Sequence, residues 1–311
     1  MREQDLSKVN LVQSKAFTHA RIKTGQTTNH VPLCRPGFLK MYFEGNRNGS
    51  FVVEEKGRIN GYCFSRLWGK VGWIGPLAVL PEMQRQGLGK QLLRANIACL
   101  KSQGASVIGL ELEAASSNNL GFYAKYGFQV QSMPVDLMID ATKLNSCPSD
   151  DCKVEFLSQS SKKSMLKKQL ARLSSKLCPG LDYHSEFDLV AANNFGDTMV
   201  IKLNEEVIAF ALAHTESYAE DERRQFLKIN LMQADPDIGL TILPTILKHC
   251  SLWAESLSLP YLYIRVPAEC AVAFEKLLRY GFKVLRNDIR MCLKGFSLKP
   301  GRPELDFSKW L

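Results

Sequence analysis

The sequence lacks the features that mark membrane, secreted and zinc-dependent proteins. None of its apolar runs approaches the roughly 18 residues that a membrane-spanning helix needs, and the N-terminus Met-Arg-Glu-Gln-Asp has no signal-peptide core. The nine cysteines include no Cys-x-x-Cys pair and the five histidines are isolated, so neither a disulfide framework nor a metal site is predicted. We therefore expect a cytoplasmic protein with no membrane partner.

Signals for nucleic-acid binding are also missing. The chain has no basic helix, no aromatic platform interleaved with Lys and Arg, and no recognition motif, so nucleic acid is the less favoured partner. The net charge of +9 is nevertheless uneven: residues 1–145 carry 18 Lys and Arg against 10 Asp and Glu, whereas the remainder carries 22 against 21. Excess positive charge in one half suits a phosphorylated small ligand through focusing of the electric field.

What the sequence does contain is a strand, a turn and a helix around two glycines. The apolar run Trp73 to Leu80 predicts a strand covered on both faces, and Pro81 ends it. Gly87 and Gly89 follow, just before a helical apolar pattern begins at Lys90. Bare backbone N–H groups at a helix N-terminus favour an anion, and glycine lets a phosphate approach. Alone, the motif also fits an ordinary glycine-rich turn.

The next segments continue the alternation of strand and helix. Residues 106–113 predict a strand with Leu110 and Leu112 on one face and Glu111 and Glu113 on the other. Residues 118–128 then predict a short helix that Gly127 closes before another strand, and residues 129–140 are expected to supply the strands that close this sheet.

Three segments in this order and spacing resemble the acyl-CoA-dependent N-acetyltransferases of the GNAT superfamily. They are Leu77-Ala-Val79, Gln84 to Gly89, and Asn119-Leu-Gly-Phe-Tyr123-Ala-Lys-Tyr-Gly-Phe128, and the resemblance covers about residues 2 to 140. It implies acetyl-CoA, or another acyl-CoA, as co-substrate and no metal. The family places a strand before its first helix, but here only four residues precede the helix expected over Asp5 to Phe17. We therefore expect that strand to be missing, displaced or very short.

The second half repeats the first in outline. Its hairpin at Met199 to Phe210 matches the hairpin at Phe51, and Arg-Tyr-Gly-Phe282 echoes Lys-Tyr-Gly-Phe128. The alignment puts Ile242 and Pro244 at the glycine positions and Leu277 at the position of Tyr123, so the second half should neither bind pyrophosphate nor protonate a thiolate.

The chain is thus predicted to be an α/β protein of two tandem GNAT-like domains. Each domain is a mixed, mostly antiparallel twisted sheet flanked by helices, with a splayed central strand pair in the first. The predicted bounds are residues 1–142 for the active domain, 143–152 for a linker and 153–311 for a degenerate domain that packs on the first and walls its acceptor site.

The resemblance also implies site residues. Pyrophosphate would bind the backbone of the turn, and the pantetheine arm would pair with the strand before it; Tyr123 would be the general acid. The turn residues are Gln84, Arg85, Gln86, Gly87, Leu88, Gly89 and Lys90, and the pantetheine contacts are Leu77, Ala78, Val79 and Asn119, of which Asn119 alternatively holds the start of the helix.

The general base remains open. Glu111 and Glu113 are candidates, although charges that alternate along a strand usually just face solvent. The histone-acetylating branch of the family carries a glutamate near the position of Trp73, so this substrate class is disfavoured.

The predicted function is acetyl transfer to a primary amine of a small molecule, peptide or protein, by direct attack in a ternary complex. The alternative is a catalytically inactive CoA-binding sensor or interaction protein. The protein is expected to be a monomer or homodimer.

Overall fold

Two equivalent series of helices and strands follow one another along the chain. The computed structural model describes residues 1–25, 30–148, 152–220, 222–297 and 306–308. The first half contains α1 (Leu6–Lys23), α2 (Pro36–Gly45), β1 (Phe51–Glu55), β2 (Arg58–Trp68), β3 (Val71–Val79), α3 (Leu88–Ser102), β4 (Val107–Glu113), α4 (Ser117–Lys125), β5 (Phe128–Ser132) and β6 (Pro134–Asp140). The second contains β7 (Lys153–Phe156), α5 (Lys163–Leu177), α6 (His184–Ala192), β8 (Gly196–Leu203), β9 (Glu206–His214), β10 (Phe226–Ala234), α7 (Leu243–Ser256), β11 (Tyr261–Pro267), α8 (Ala271–Arg279), β12 (Lys283–Leu293) and β13 (Asp306–Ser308).

Local turn chemistry explains where the first hairpin reverses. Lys56 and Gly57 have φ values of 50° and 78°, and two consecutive left-handed residues form the tight turn that matches the twist of β1 and β2. The hairpin predicted from Phe51 is confirmed. The helix expected over Asp5 to Phe17 is longer than predicted, because α1 continues to Lys23.

The two halves differ at their beginnings. The second half opens with β7, an edge strand paired with β8, and then enters α5. Among the described residues no strand precedes α1, which agrees with the expectation that this strand is missing, displaced or very short.

All strands belong to one sheet, in which the halves exchange their last strands. The order is β1-β2-β3-β4-β12-β6-β11-β10-β9-β8-β7, with β5 on β12 and β13 on β10. Within the described ranges only β3 with β4 and β10 with β11 run parallel, so the sheet is mixed and mostly antiparallel, as predicted.

The exchange corrects one expectation. The sequence predicts that residues 129–140 close the sheet of the first half, but only β5 stays there. β6 pairs with β11 of the second half, and residues 288–292 of β12 fill the place beside β4. The predicted domain bounds stay a prediction, since the sheet runs without interruption through both halves.

Hydrophobic packing also joins the halves. One core cluster combines Trp68, Val71 and Trp73 of the first half with side chains of α5 and α6. Burial of this kind is typical of a fixed rather than a mobile interface. No helix within the described ranges is both long and apolar enough to cross a lipid bilayer.

Candidate active site

A gap opens in the sheet where β3 and β4 separate. The two strands pair only from Val71 to Trp73, opposite Val107 to Gly109, and then diverge. The indole of Trp73 lies over Gly109 at this point, where an added Cβ would stand 2.1 Å from the ring. The splayed strand pair predicted for the first half is therefore present, and it leaves the stretch from Leu77 through Ala78 to Val79 without a neighbour on the β4 side.

The predicted turn lies at the end of this gap. Gly87 has a φ of 85° and is the N-cap of α3, so the N–H groups of Leu88, Gly89 and Lys90 have no acceptor within the helix. A Cβ on Gly87 would meet no atom within 4 Å, which means that the mouth of the turn is open.

A side-chain contact ties this turn to the strand. Gln84 Nε2 donates to the carbonyl oxygen of Val79 at 3.1 Å, while Arg85, with a φ of 63°, and Gln86 are exposed. The turn therefore presents backbone donors and the positive end of a helix, which is the physical requirement for a phosphate site.

The gap continues into a cavity of about 740 Å³ that lies between the halves. The first half lines it with the end of β3, the end of β4, Asn119 and Tyr123, and with α1 and α2. The second half contributes Leu212, His214, Tyr218, Lys228, Asn230 and Arg286, among others. The second half thus forms a wall of this cavity, as the sequence predicts.

Tyr123 and Asn119 reach the cavity from α4. The ring of Tyr123 packs edge-on against Phe122 and Phe128, at centroid distances of 5.1 and 5.9 Å. Burial raises the pKa of the Tyr123 phenol, so the group keeps its proton throughout the neutral range. Asn119 lies in the first turn of α4, and its N–H donates to the carbonyl of Ser116 at 3.0 Å.

The two glutamates of β4 have different surroundings. Glu111 has a fully buried side chain and is bound by two guanidinium groups: Arg290 donates to it at 2.6 and 2.8 Å, and Arg265 contacts its other oxygen. Glu113 is 36% exposed and lines the cavity, with Arg286 Nη1 at 3.4 Å from Oε1. Glu111 thus holds strands together, whereas Glu113 is accessible from the cavity.

Arg265 is the centre of a charge network that sequence reasoning missed. It is 1% exposed and donates to Asp136 at 2.6 and 2.8 Å and to Asp288 at 2.5 Å, besides contacting Glu111. These acids come from β6, β12 and β4, so the network forms where the exchanged strands meet. Alternation of Arg286, Asp288 and Arg290 along β12 was a visible signal of a charged strand face, but it does not identify the partners.

The equivalent places in the second half are filled. Ile242 is 2% exposed at the position of Gly87, Pro244 lies in the first turn of α7, and Leu277 is buried at the position of Tyr123. β13 pairs with β10 from Leu231 to Gln233, beyond the last pair that β10 makes with β11. The chain itself therefore occupies the gap that stays open in the first half.

Comparisons with known proteins match the segment that contains the gap and the turn. The sequence profile of the Acetyltransferase (GNAT) family matches residues 20–128, which include β3, the turn, α3 and α4. A [ribosomal protein bS18]-alanine N-acetyltransferase of Escherichia coli strain K12 is 28% identical over 85 residues, which are 27% of this chain and 57% of that protein. The chain thus spans just over half the length of this relative.

Solved structures extend the similarity of fold to the whole chain. A GCN5-related N-acetyltransferase from Sphaerobacter thermophilus has a TM-score of 0.63 at 11% identity, covering 97% of this chain and 95% of that one. A tandem GNAT protein from the clavulanic acid biosynthesis pathway has a TM-score of 0.57 at 10% identity, covering 93% and 94%. The open gap, the turn of Gly87 and the family match fall on the same residues, so residues 20–128 carry an acetyltransferase domain of the GNAT family.

Proposed function

We propose that the protein transfers an acetyl group from acetyl-CoA to a primary amine by direct attack in a ternary complex. The observation that carries the proposal is the continuous path from the turn of Gly87, along the gap beside β3, into a cavity lined by Tyr123 and Glu113. A long cofactor with phosphates at one end and a thioester at the other matches such a path.

The phosphate end of acetyl-CoA binds the turn in this proposal. The backbone from Arg85 to Lys90 offers N–H donors and the positive end of α3, and exposed Arg85 adds a positive charge. Gln84 fixes the turn against Val79, so the donors are oriented before the ligand arrives.

The pantetheine arm occupies the gap and pairs with the backbone of Leu77, Ala78 and Val79. An N–H of this stretch polarises the thioester carbonyl, because a fixed donor stabilises the negative charge that develops on oxygen during attack. Asn119, at the start of α4, contacts the arm from the opposite side of the gap.

Glu113 is the general base in this proposal. An amine is protonated near neutral pH and must lose a proton before or during attack, so a carboxylate that the cavity can reach, directly or through water, is required. Glu113 has this access, whereas both oxygens of Glu111 are bound by arginines. Glu111 instead serves to hold β4 against β12.

Tyr123 is the general acid. Its phenol retains the proton at neutral pH and can donate it, as a hydrogen bond or a full transfer, to the departing thiolate. Its packing between Phe122 and Phe128 holds the ring in one orientation.

The acceptor enters the cavity between the halves. The Escherichia coli relative is named for acetylating an alanine of a ribosomal protein, so a peptide N-terminus belongs among the amines to be tested beside small primary amines.

Thiol release from acetyl-CoA, measured across a panel of amines, tests the proposal. Amine-dependent release is expected, with kcat about 100-fold lower in Tyr123→Phe and acetyl-CoA affinity retained. Tyr126→Phe, three residues further along the same helix end, is the matched control and should leave kcat unchanged. Binding of acetyl-CoA with no turnover of any amine, the same in wild type and in Tyr123→Phe, would instead favour the non-catalytic CoA-binding protein.

A further inference from the structure

Lys228 brings a positive charge into the cavity wall from the second half. It lies on β10 two residues before Asn230, which is the extra residue of a bulge in the pairing of β10 with β9, and both residues line the cavity. The Lys228 ammonium is 3.9 Å from the centroid of the Tyr218 ring.

This ammonium differs from the guanidinium groups that line the same cavity. Arg286 is paired with Asp136 at 2.9 Å, and Arg66 lies 3.7 Å from Glu186. Among the residues that the structure describes, no carboxylate comes within 4.0 Å of the Lys228 nitrogen.

Removal of a charge from water without a counter-ion is costly, and a ring face offsets only part of that cost. Burial lowers the pKa of Lys228, the positive charge of Arg286 lowers it further, and Glu222 opposes the shift. An anionic group in direct contact with the ammonium would offset this penalty, because Glu222, which also lines the cavity, acts on Lys228 without forming an ion pair with it among the described residues.

Asn230 offers a second donor at the same place. Its Oδ1 accepts from the Tyr218 hydroxyl at 3.5 Å, and its Nδ2 hydrogens donate to no group within the described ranges. An ammonium and an amide that are two positions apart on one strand can share the oxygens of one carboxylate or phosphate.

Lys228 also lies in the same cavity as Glu113, the candidate base. Arg286 contacts Glu113 at 3.4 Å and is close enough to influence the Lys228 ammonium. Glu113 and Lys228 line the same cavity, so a carboxylate that can receive a proton and an ammonium that can contact an anion face one space.

We propose that the acceptor is a small primary amine that carries an anionic group, which Lys228 and Asn230 bind while the amine faces Glu113. This inference rests on the proposed acetyl transfer. It makes Lys228 a specificity residue, since it selects among amines without touching the acetyl group.

The test compares two amines of equal length, 3-aminopropanoate with its carboxylate and propylamine without an anion. An aminoalkyl phosphate is tested separately, to tell whether the site prefers a carboxylate or a phosphate. The variants are Lys228→Met, which keeps the length and removes the charge, and Lys228→Arg, which keeps the charge. Wild type should prefer the anionic amine by about 10- to 100-fold in kcat/KM, the range for a charged hydrogen bond. Lys228→Met should lose that preference with propylamine turnover unchanged, and Lys228→Arg should retain most of it.

Two results would overturn the proposal: equal kcat/KM of wild type for both members of the pair, or an equal loss for both in Lys228→Met. Calorimetric binding of 3-aminopropanoate to the CoA complex supplies a readout that does not need turnover. If no amine is acetylated but this binding occurs and is lost in Lys228→Met, the anion site stands and the proposed acetyl transfer fails. Absence of binding together with absence of preference refutes the anion site even if other amines are acetylated.

Discussion

Both halves have a gap between two parallel strands, but the gap is open in the first half and filled in the second. In the first half, β3 and β4 part after Trp73, and the gap leads to a turn whose Gly87 leaves its mouth open. In the second half, β10 and β11 part after four residue pairs, but β13 pairs with β10 beyond that point and Phe307 is buried there. The architecture is common to both halves, and differences in side chains and in the tail leave the gap open in one half and filled in the other.

The second half nevertheless contributes to the site of the first. Arg265 on β11 holds Glu111 of β4, Asp136 of β6 and Asp288 of β12, and Arg290 of β12 links Glu111 to the carbonyl of Ser308 at 2.8 Å. The second half therefore supports the first and forms a wall of its cavity, while Ile242, Pro244 and Leu277 occupy the positions aligned with the glycines and the tyrosine.

The largest effect is expected from breaking this support. Arg265→Met leaves three carboxylates buried without their central cation and should lower the free energy of unfolding by about 3–5 kcal/mol. Denaturant titration measures this value. Arg279→Met, which removes an exposed arginine paired with Glu275, is the control and should change stability little. Equal losses in the two variants would show that the network does not couple the halves.

The next prediction concerns the filled gap. Phe307 is 1% exposed, so Phe307→Ala should cost about 3 kcal/mol of stability through the cavity that it creates. It should not create a second acetyl-CoA site, because Ile242 and Pro244 still fill the turn. Thermal unfolding and equilibrium binding together check both statements, and a second binding event in the variant would contradict the second.

Gly87 tests the open turn of the first half. Gly87→Val should weaken acetyl-CoA binding by about 100-fold or more, equivalent to about 2.7 kcal/mol, because a branched side chain would stand at the phosphate position. Gly57→Val is the matched control, since Gly57 also has a positive φ and open space around its Cβ position. Similar losses of stability in both variants, with loss of binding only in Gly87→Val, are expected. Normal binding by a folded Gly87→Val protein would refute the phosphate site.

The smallest expected effect is on the pH dependence of kcat/KM, which depends on Tyr123 of the first half; the second half has Leu277 at the aligned position. Burial raises the pKa of Tyr123 above its usual value of 10.0, so the phenol stays protonated up to pH 9.5. The value of kcat/KM should therefore rise with pH only while the acceptor amine loses its proton. For an acceptor that is already deprotonated, kcat/KM should change less than twofold between pH 8.5 and 9.5. Tyr123→Phe should lower the profile without changing its shape. A falling limb below pH 9.5 that disappears in Tyr123→Phe would contradict the raised pKa.

Local patterns predicted the parts of the fold that depend on neighbours in sequence. The hairpin that begins at Phe51, the glycine-bearing turn before α3 and the two faces of β4 follow from turn chemistry and side-chain alternation. The filled turn of the second half also follows, because Ile242 and Pro244 can be aligned with the glycines.

The exchange of β6 and β12 between the halves could not be predicted from local sequence patterns. Residues 134–140 have the apolar pattern of a buried strand. That pattern is compatible with pairing beside β4 or beside β11, and in the structure β6 pairs with β11. The same limit applies to Arg265, whose three partners lie on strands far apart in sequence, and to β13, a three-residue strand with no periodicity to detect.

Calorimetric titration of the wild-type protein with acetyl-CoA tests the central claim, that one half of the chain is open to the cofactor and the other is closed by its own residues. We expect one molecule bound per chain, with affinity lower by about 100-fold or more in Gly87→Val. Two molecules per chain, or one that binds with unchanged affinity when Gly87 is replaced by valine, would contradict that claim.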